Sequence, residues 1–337
     1  GRPYGGCIVK ACVTGASGFI GNRLCHRLVS EGYQVVATGM VNNPVEEERR
    51  LALEAAGITF EAGSVNDPEF LARVLQDCEW VFHLAAAQHE ANVGEEYFRT
   101  INVEGTACVL NAAVAAGVER FVHGSTIGVY GAAMAGELDE TSPMQPTDHY
   151  GRTKLAGEQL ALQFRDQLKL AIVRISETYG PGDRRLLKLF KGIKKGVFFI
   201  VGNGQNIHQL IYIDDLIEGL LCAARRSQAV GEVYVLAGCE QLTTNRMCAD
   251  VAEAVGSRRR LLRFPYPAMK LLTGVLEGGF GLLGRQPPIK QRSLDFFRKS
   301  FFFRQEKVER DLGFTPATSF ADGVKKTAAW YRQEKLL

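Results

Sequence analysis

The sequence predicts an α/β protein: a doubly wound parallel sheet with a smaller C-terminal α/β lobe. Three observations carry this. Short β-branched runs alternate with helical patterns through the first half, the pattern of a parallel sheet covered by helices on both faces. The first strand runs directly into a glycine turn that opens a helix, Val13-Thr14-Gly15-Ala16-Ser17-Gly18-Phe19-Ile20-Gly21. After Gly180-Pro181-Gly182-Asp183, a strong loop signal, the alternation breaks down. A second lobe is therefore assembled from later segments, with one return of the chain to the sheet. The division expected is residues 1–178 plus about 208–237 for the sheet domain, and about 179–207 plus 238–337 for the second lobe.

The elements follow in order. Cys7–Thr14 reads as a strand, Asn22–Glu31 as a helix, Gln34–Thr38 as a strand and Val45–Ala56 as a helix. Thr59–Ala62 is a short strand. Glu69–Leu75 is a helix with Asn66 or Asp67 as its cap and Pro68 at its first position, where a missing N–H costs nothing. Trp80–Leu84 and Arg120–Gly124 are strands flanking a long helix, Glu95–Ala116. Helix Tyr150–Phe164 and strand Lys169–Ile175 complete the first half. Beyond it come a basic helix (Leu186–Lys195), a turn at Gly202-Asn203-Gly204, strand Gln209–Ile213, helix Asp214–Arg225 and a last sheet strand, Glu232–Leu236. Helices Thr244–Val255 and Phe320–Tyr331 flank an apolar stretch, Met269–Leu283. That stretch reads as an apolar lid or a packed helix rather than a membrane-touching segment.

Composition excludes several classes of function. The 337 residues are 46% hydrophobic and 23% charged, with a net charge of +3. That charge is too small to suggest a nucleic-acid partner. No signal peptide is read at the start and no apolar run reaches transmembrane length, so a cytoplasmic protein with no membrane partner is expected. The eight cysteines form no CxxC pair and the six histidines show no metal-ligand spacing. Free buried thiols and no metal are the expectation.

The glycine turn carries the first chemistry. Gly15 permits the tight turn, Gly18 lets the backbone approach a pyrophosphate, and Gly21 lets helix and strand pack closely. The helix start at Ser17, Gly18, Phe19 and Ile20 adds unpaired N–H groups and a positive dipole end. Together they form a Rossmann-type dinucleotide site. Gly39 and Met40 stand where an acid would mark NAD and an Arg would mark NADP, so the cofactor is NAD or NADP. Arg49 and Arg50 read as a solvated helix face.

The second chemistry lies in Tyr150-Gly151-Arg152-Thr153-Lys154. Spacing of four puts Tyr150 and Lys154 on one helix face. A free phenol titrates near ~10, and a neighbouring ammonium lowers that value and fits the group for acid–base work.

With His83–Ala87, Asn102–Thr106, Ser125–Gly131, Tyr179–Asp183 and Tyr212–Asp215, these motifs resemble the extended short-chain dehydrogenase/reductase family. That family includes nucleotide-sugar epimerases and dehydratases, dihydroflavonol-type ketoreductases and 3β-hydroxysteroid dehydrogenases. The resemblance implies an NAD(P)-dependent enzyme transferring hydride at a secondary alcohol or ketone carbon of a small molecule. Tyr150 would be the general acid/base, Lys154 would tune it and hold the nicotinamide ribose, and Thr126 would hold the reacting oxygen, with Ser125 its neighbouring alternative. Leu84, Ala85 and Ala86 would line the cofactor path. Val65 would contact the adenine, because Ser64 replaces the family's frequent Asp.

Sugar dehydratases of the family usually carry Asp-Glu after the catalytic Thr; Ile127 and Gly128 fill those places here, which argues against dehydration. Nucleotide-sugar members typically have Asn at the position of Glu177 and Arg at that of His208. Both departures turn the reading from a pyrophosphate-linked sugar towards another ketone or alcohol. Arg184, Arg185 or Lys188 remain able to supply the missing cation. A nucleotide-sugar 4-epimerase is the alternative, and a non-catalytic dinucleotide sensor is disfavoured by the intact Tyr150, Lys154 and Thr126. The family also implies a twofold homodimer packed through Glu95–Ala116 and Tyr150–Phe164, where Ala107, Ala112, Ala113, Ala156 and Gly157 allow close approach.

Overall fold

The computed structural model describes residues 8–88, 93–282 and 294–337. Cys7, at the start of the first expected strand, and Leu283, at the end of the apolar stretch, lie outside the described residues. In chain order the first half contains β1 (Lys10–Thr14), α1 (Phe19–Ser30), β2 (Gln34–Gly39), α2 (Pro44–Ala55), β3 (Thr59–Ala62), α3 (Pro68–Val74), β4 (Trp80–His83) and α4 (Glu95–Arg99). A π-helical turn, Thr100–Gly105, joins α4 to α5 (Thr106–Ala115). There follow β5 (Arg120–Thr126), β6 (Gly136–Leu138), α6 (His149–Leu162) and β7 (Leu170–Ile175).

The second half contains β8 (Thr178–Tyr179), α7 (Leu187–Lys195), β9 (Phe199–Val201), β10 (Ile207–His208), β11 (Ile211–Tyr212), α8 (Ile213–Arg225), β12 (Val233–Leu236), β13 (Leu242–Thr243), α9 (Thr244–Val255) and β14 (Leu262–Phe264). It ends with α10 (Tyr266–Leu282), α11 (Asp295–Arg298), β15 (Phe301–Phe303), α12 (Glu306–Leu312) and α13 (Phe320–Gln333).

Seven strands form one parallel sheet in the order β12-β7-β5-β4-β1-β2-β3. The order reverses between β1 and β4, and a ligand cleft is expected beyond the carboxyl ends of those two strands. Register places Thr14 beside His83 there. Helices hold the sheet through apolar stripes of helical period. In α1 the buried positions are Gly21, Leu24, Cys25 and Leu28; in α8 they include Ile213, Leu216, Ile217, Leu220, Leu221 and Ala224. Each buried Leu or Ile contributes roughly 1.5–3 kcal/mol of transfer free energy.

Several expectations are corrected. The first helix begins at Phe19, three residues before Asn22, because Gly18 itself serves as its N-cap. The long helix expected over Glu95–Ala116 is interrupted by the π turn. The strand expected over Gln209–Ile213 shrinks to Ile211–Tyr212 and pairs with β8 outside the main sheet. The pairings β6 with β15, β9 with β14 and β10 with β13 join distant segments and were not anticipated from local pattern. Of the small residues expected to face a second copy, Ala113 and Gly157 are buried within the chain. A Cβ on Gly157 would lie 2.5 Å from the Asn102 carbonyl oxygen, so that glycine serves the packing of α6 on the π turn.

Asp67 caps α3 by accepting from the Glu69 and Phe70 N–H groups, with Pro68 at the first position. The seven described cysteines are free thiols. Among the described residues no cluster of His, Cys, Asp or Glu has the arrangement of a metal site. None of the helices there is long and apolar enough to cross a membrane.

Candidate active site

The turn after β1 has the geometry its glycines imply. Gly15 has φ +72°, and a Cβ there would sit 2.7 Å from the Ala85 amide nitrogen. A Cβ on Gly21 would lie 2.3 Å from the Gly15 carbonyl oxygen, so helix and turn touch there. Gly18 differs: its backbone is extended, and its Cβ would meet only the Gly15 oxygen, at 3.0 Å. The N-terminus of α1 has no side-chain cap and no acid in its first turn, unlike α2, which Asn43 caps and Glu46 and Glu47 follow. An open, uncapped, acid-free helix start fits the pyrophosphate of a dinucleotide.

This contrast gives a prediction. Gly18→Val keeps an allowed backbone but places a branched side chain where an anion must approach. Calorimetry should show NAD(H) and NADP(H) affinity reduced at least about tenfold, with the melting temperature little changed. Unchanged affinity would remove the turn from the cofactor site.

The rest of the expected cofactor path lies along the same edge. Leu84, Ala85 and Ala86 are half-buried beyond β4. The Leu84 and Ala85 N–H groups both donate to Thr14 Oγ1, at 3.2 Å. Accepting twice, Thr14 donates its own proton to His83 Nδ1 (2.8 Å), which leaves His83 Nε2–H to donate to Thr106 Oγ1 (3.0 Å). Thr106 in turn donates to the Asn102 carbonyl. Burial holds His83 neutral, pushing it down to about 3. Asn102, on the π turn, bonds both the N–H and the carbonyl of Ala87 and donates to Thr153 of α6. The π turn thereby ties the strand edge to α6. Val65 is buried against the same turn, with Gly105 leaving room for it. Phe19 and Ile20 are half-buried at the helix start. Ser17 Oγ donates to the Met40 carbonyl at 2.7 Å, and a Cβ on Gly39 would fall 2.9 Å from that hydroxyl.

Three expected side chains converge at the carboxyl end of β5. Gly151 lets the start of α6 approach the turn after Thr126, for a Cβ there would lie 2.8 Å from the Gly128 carbonyl oxygen. Asp148 caps the helix through the Gly151 N–H. The Tyr150 side chain then comes close enough to Thr126 for that residue to act on its phenol, and the Thr126 hydroxyl accepts from the Gly128 N–H at 3.1 Å. Lys154, one turn on, is buried, with Nζ 2.5 Å from the Gly124 carbonyl oxygen. Ser125 Oγ is engaged elsewhere, donating to Glu158 Oε2 at 2.6 Å, so Thr126 is the hydroxyl that meets Tyr150.

The electrostatics depart from expectation. Burial pushes the Tyr150 phenol up to about 12, opposed by the Thr126 hydrogen bond and the charge of Arg185. Lys154 directs its ammonium to the Gly124 carbonyl. Burial also brings Lys154 down to about 8.

The four residues expected at the substrate separate. Thr126 acts on the Tyr150 phenol, and Arg185 acts on both Tyr150 and Glu177. Glu177 is exposed, yet the crowding of the cleft raises its carboxyl, opposed by Arg185 and Lys299. Arg184 lies apart, paired with Glu48 of α2 at 2.7 Å, beside a cavity of about 300 Å³ that also reaches Arg23, Arg49 and Trp330. His208 is buried, stacked on Phe296 at 4.5 Å and bonded to Asn206 and Thr244; burial takes it down to about 4, so it is neutral. Arg185, whose charge acts on both Tyr150 and Glu177, is the cation the sequence did not single out over its neighbour. Arg49 is likewise no solvated face: it is half-buried and bonds the Gly182 carbonyl at 2.9 Å and the Ser17 carbonyl at 3.4 Å.

Comparison with known proteins agrees with this geometry. Residues 11–237 match the NAD dependent epimerase/dehydratase family. The chain is 27% identical to 3beta-hydroxysteroid-dehydrogenase/decarboxylase isoform 1 of Arabidopsis thaliana, over 94% of this chain and 78% of that protein. It is 28% identical to a dTDP-glucose 4,6-dehydratase of Streptomyces griseus, over 96% and 94%. It is 29% identical to 2-alkyl-3-oxoalkanoate reductase of Shewanella oneidensis, over 96% and 86%. The structure of UDP-glucuronic acid 4-epimerase from Bacillus cereus in complex with NAD superposes with a TM-score of 0.79 at 25% identity, covering 97% of this chain and 99% of that one. The chain belongs to the NAD dependent epimerase/dehydratase family, within the extended short-chain dehydrogenases/reductases, and is an NAD(P)-dependent enzyme of hydride transfer at a secondary alcohol or ketone carbon.

Proposed function

We propose that the enzyme interconverts a secondary alcohol and a ketone on a substrate other than a nucleotide diphosphate sugar, with Tyr150 as acid/base, Thr126 holding the reacting oxygen and Lys154 at the nicotinamide ribose. The bound dinucleotide supplies or accepts the hydride. The observation that carries the reading is the placement of Thr126 where it acts on the Tyr150 phenol, with buried Lys154 one helical turn away. A phenol held at about 12 keeps its proton at neutral pH, as a donor to a developing alkoxide must.

Substrate class follows from the charges. The cleft presents the Glu177 carboxyl, and His208 is neutral and stacked on a ring. Neither grips a pyrophosphate, and a carboxylate repels one more strongly in a partly dehydrated site than in water. Ile127 is buried and Gly128 has no side chain, so no acid follows Thr126 to expel a hydroxyl as a dehydratase requires. Similarity to 2-alkyl-3-oxoalkanoate reductase and to a 3beta-hydroxysteroid dehydrogenase points the same way.

The second reading, a nucleotide-sugar 4-epimerase, is favoured by Arg185, the cation whose charge acts on Tyr150. Titration with UDP, dTDP and UDP-glucose beside a neutral cyclic ketone separates the two. Only the ketone is expected to bind in the micromolar range. Micromolar binding of a nucleoside diphosphate would defeat the substrate assignment, and its loss in Arg185→Ala would place the phosphates on that side chain.

Residues 1–178 with about 208–237 would carry the cofactor and the remainder the substrate. We place the enzyme in the cytoplasm, as a twofold homodimer through α5 and α6, where Ala107, Ala112 and Ala156 remain partly exposed. Light scattering at micromolar concentration reads the dimer directly.

A further inference from the structure

At one pole of the C-terminal lobe, β9 and β14 pair in parallel, with Leu262 beside Phe199. This pairing joins two stretches that contain no acidic residue, 184–213 and 257–276. Their cations include Lys194, Lys195, Arg258, Arg259, Arg260 and Lys270, all exposed. Among the described residues none of these six makes an ion pair; Arg259 bonds only the Lys195 carbonyl and the Ser257 hydroxyl. Against a net charge of +3 for the whole chain, this is a strong local excess.

The same stretches expose large apolar side chains. Val197 is 68% exposed, Leu262 62%, Leu271 72% and Val275 65%, with Phe264 and Leu272 also exposed. On α10, Met269 and Thr273 turn inward. Lys270, Leu271, Gly274 and Val275 turn outward and line a shallow groove with Pro267. The helix thus shows an apolar face that none of the described residues covers, with a lysine on that face whose stem can lie along it and keep its ammonium in water. An exposed apolar surface of this kind marks an interaction site.

We infer that this pole docks on the surface of an anionic lipid bilayer, α10 lying in the interface with Leu271 and Val275 against the acyl boundary and the arginines at 258–260 on the headgroups. Charge and apolarity together select this occupant. A second copy would bring the same cations against each other and be repelled. A nucleic acid would satisfy the arginines but offer nothing to Leu271, Leu272 and Val275. A bilayer with acidic headgroups satisfies both, and peripheral helices bind it by these two forces.

The test is co-sedimentation of the full chain with phosphatidylcholine vesicles, with and without phosphatidylserine, at physiological and high salt. Wild type should sediment only with the anionic vesicles and be released by high salt. Replacing Arg258, Arg259 and Arg260 together by Glu should weaken binding by about 10²-fold or more, at roughly fivefold per cation removed. Leu271→Glu with Val275→Glu should weaken it at least about tenfold, through lost apolar insertion. All five positions are exposed, so melting temperatures should match wild type; should the helix variant fail to fold, the arginine variant and the salt dependence decide. Failure of wild type to sediment, or equal sedimentation of wild type and the arginine variant, overturns the inference. A change of mass in light scattering for the Leu271/Val275 variant, without lipid binding by wild type, would assign the face to a second copy instead. Lipid binding is read without turnover, so the result stands apart from the substrate assignment.

Discussion

Tyr150→Phe is expected to lower turnover by at least about 10²-fold, the scale of one acid–base group, while dinucleotide affinity and melting temperature stay near wild type. The phenol anchors no buried network of the kind that holds Glu158 and Arg174, so removing its oxygen should cost the fold little. What is lost is a proton donor aimed at the site of the reacting oxygen. Because burial holds the phenol at about 12, it is fully protonated through the neutral range. The phenol's own titration should therefore leave ketone reduction flat in that range, its proton being lost only at strongly alkaline pH. Alcohol oxidation needs the phenolate and should rise with pH. Lys154, at about 8, loses its charge earlier and should give oxidation an alkaline limb of its own. Near-normal activity of Tyr150→Phe, measured by nicotinamide absorbance on a substrate that wild type turns over, would overturn the assignment.

The parts of this site that local sequence made legible are those whose chemistry is itself local. The glycines at 15, 18 and 21 act within one turn, and the structure separates their roles as the spacing implied: positive φ at Gly15, open approach at Gly18, close packing at Gly21. The four-residue spacing of Tyr150 and Lys154 needs only a helix. Only the family motif prefers Thr126 to Ser125; the physical reason lies with Glu158, 33 residues away, which takes the serine hydroxyl.

What the sequence hid was set by tertiary partners. Nothing local distinguishes Arg184 from Arg185, yet the first pairs with Glu48 of α2 while the second bonds Asp183 and the Thr178 carbonyl, from where its charge acts on Tyr150 and Glu177. His208 resembles a ligand-facing residue until Phe296, 88 positions later by number, stacks on it. The π turn at Thr100–Gly105 carries the apolar pattern of an ordinary helix. Its wider turn is fixed by contacts of Asn102 with Ala87 and Thr153, on elements before and after it. The short strands β6 and β15 are three residues each and pair across nearly half the chain, beyond the reach of periodicity. A signal for Arg185 did exist in the basic run after Gly182, but only its side-chain direction gives it meaning.

Glu158→Ala is expected to cost about 3–5 kcal/mol of stability, the scale of breaking a buried ion pair by removing one member. Glu158 and Arg174 lie 2.7 Å apart, with side chains only 2% and 4% exposed. The carboxylate also accepts from Ser125 Oγ. The guanidinium is further fixed by the Tyr130 hydroxyl and the Glu140 carbonyl, at 2.8 and 2.9 Å. Without Glu158 the Arg174 charge stays buried with neutral partners, and Ser125 loses its acceptor. Denaturant unfolding should show the loss as a lower midpoint with an unchanged slope. Replacing both partners, Glu158→Leu with Arg174→Met, should recover most of it, because no unpaired charge remains. A second readout separates this pair from inert packing. Glu158 supports the charged form of Lys154 one turn away, so Glu158→Gln should move the lysine further below about 8 and shift the alkaline limb of alcohol oxidation to lower pH. A stability loss under about 1 kcal/mol in Glu158→Ala, the range of an exposed ion pair, together with an unmoved pH profile in Glu158→Gln, would show that neither the fold nor Lys154 depends on this carboxylate.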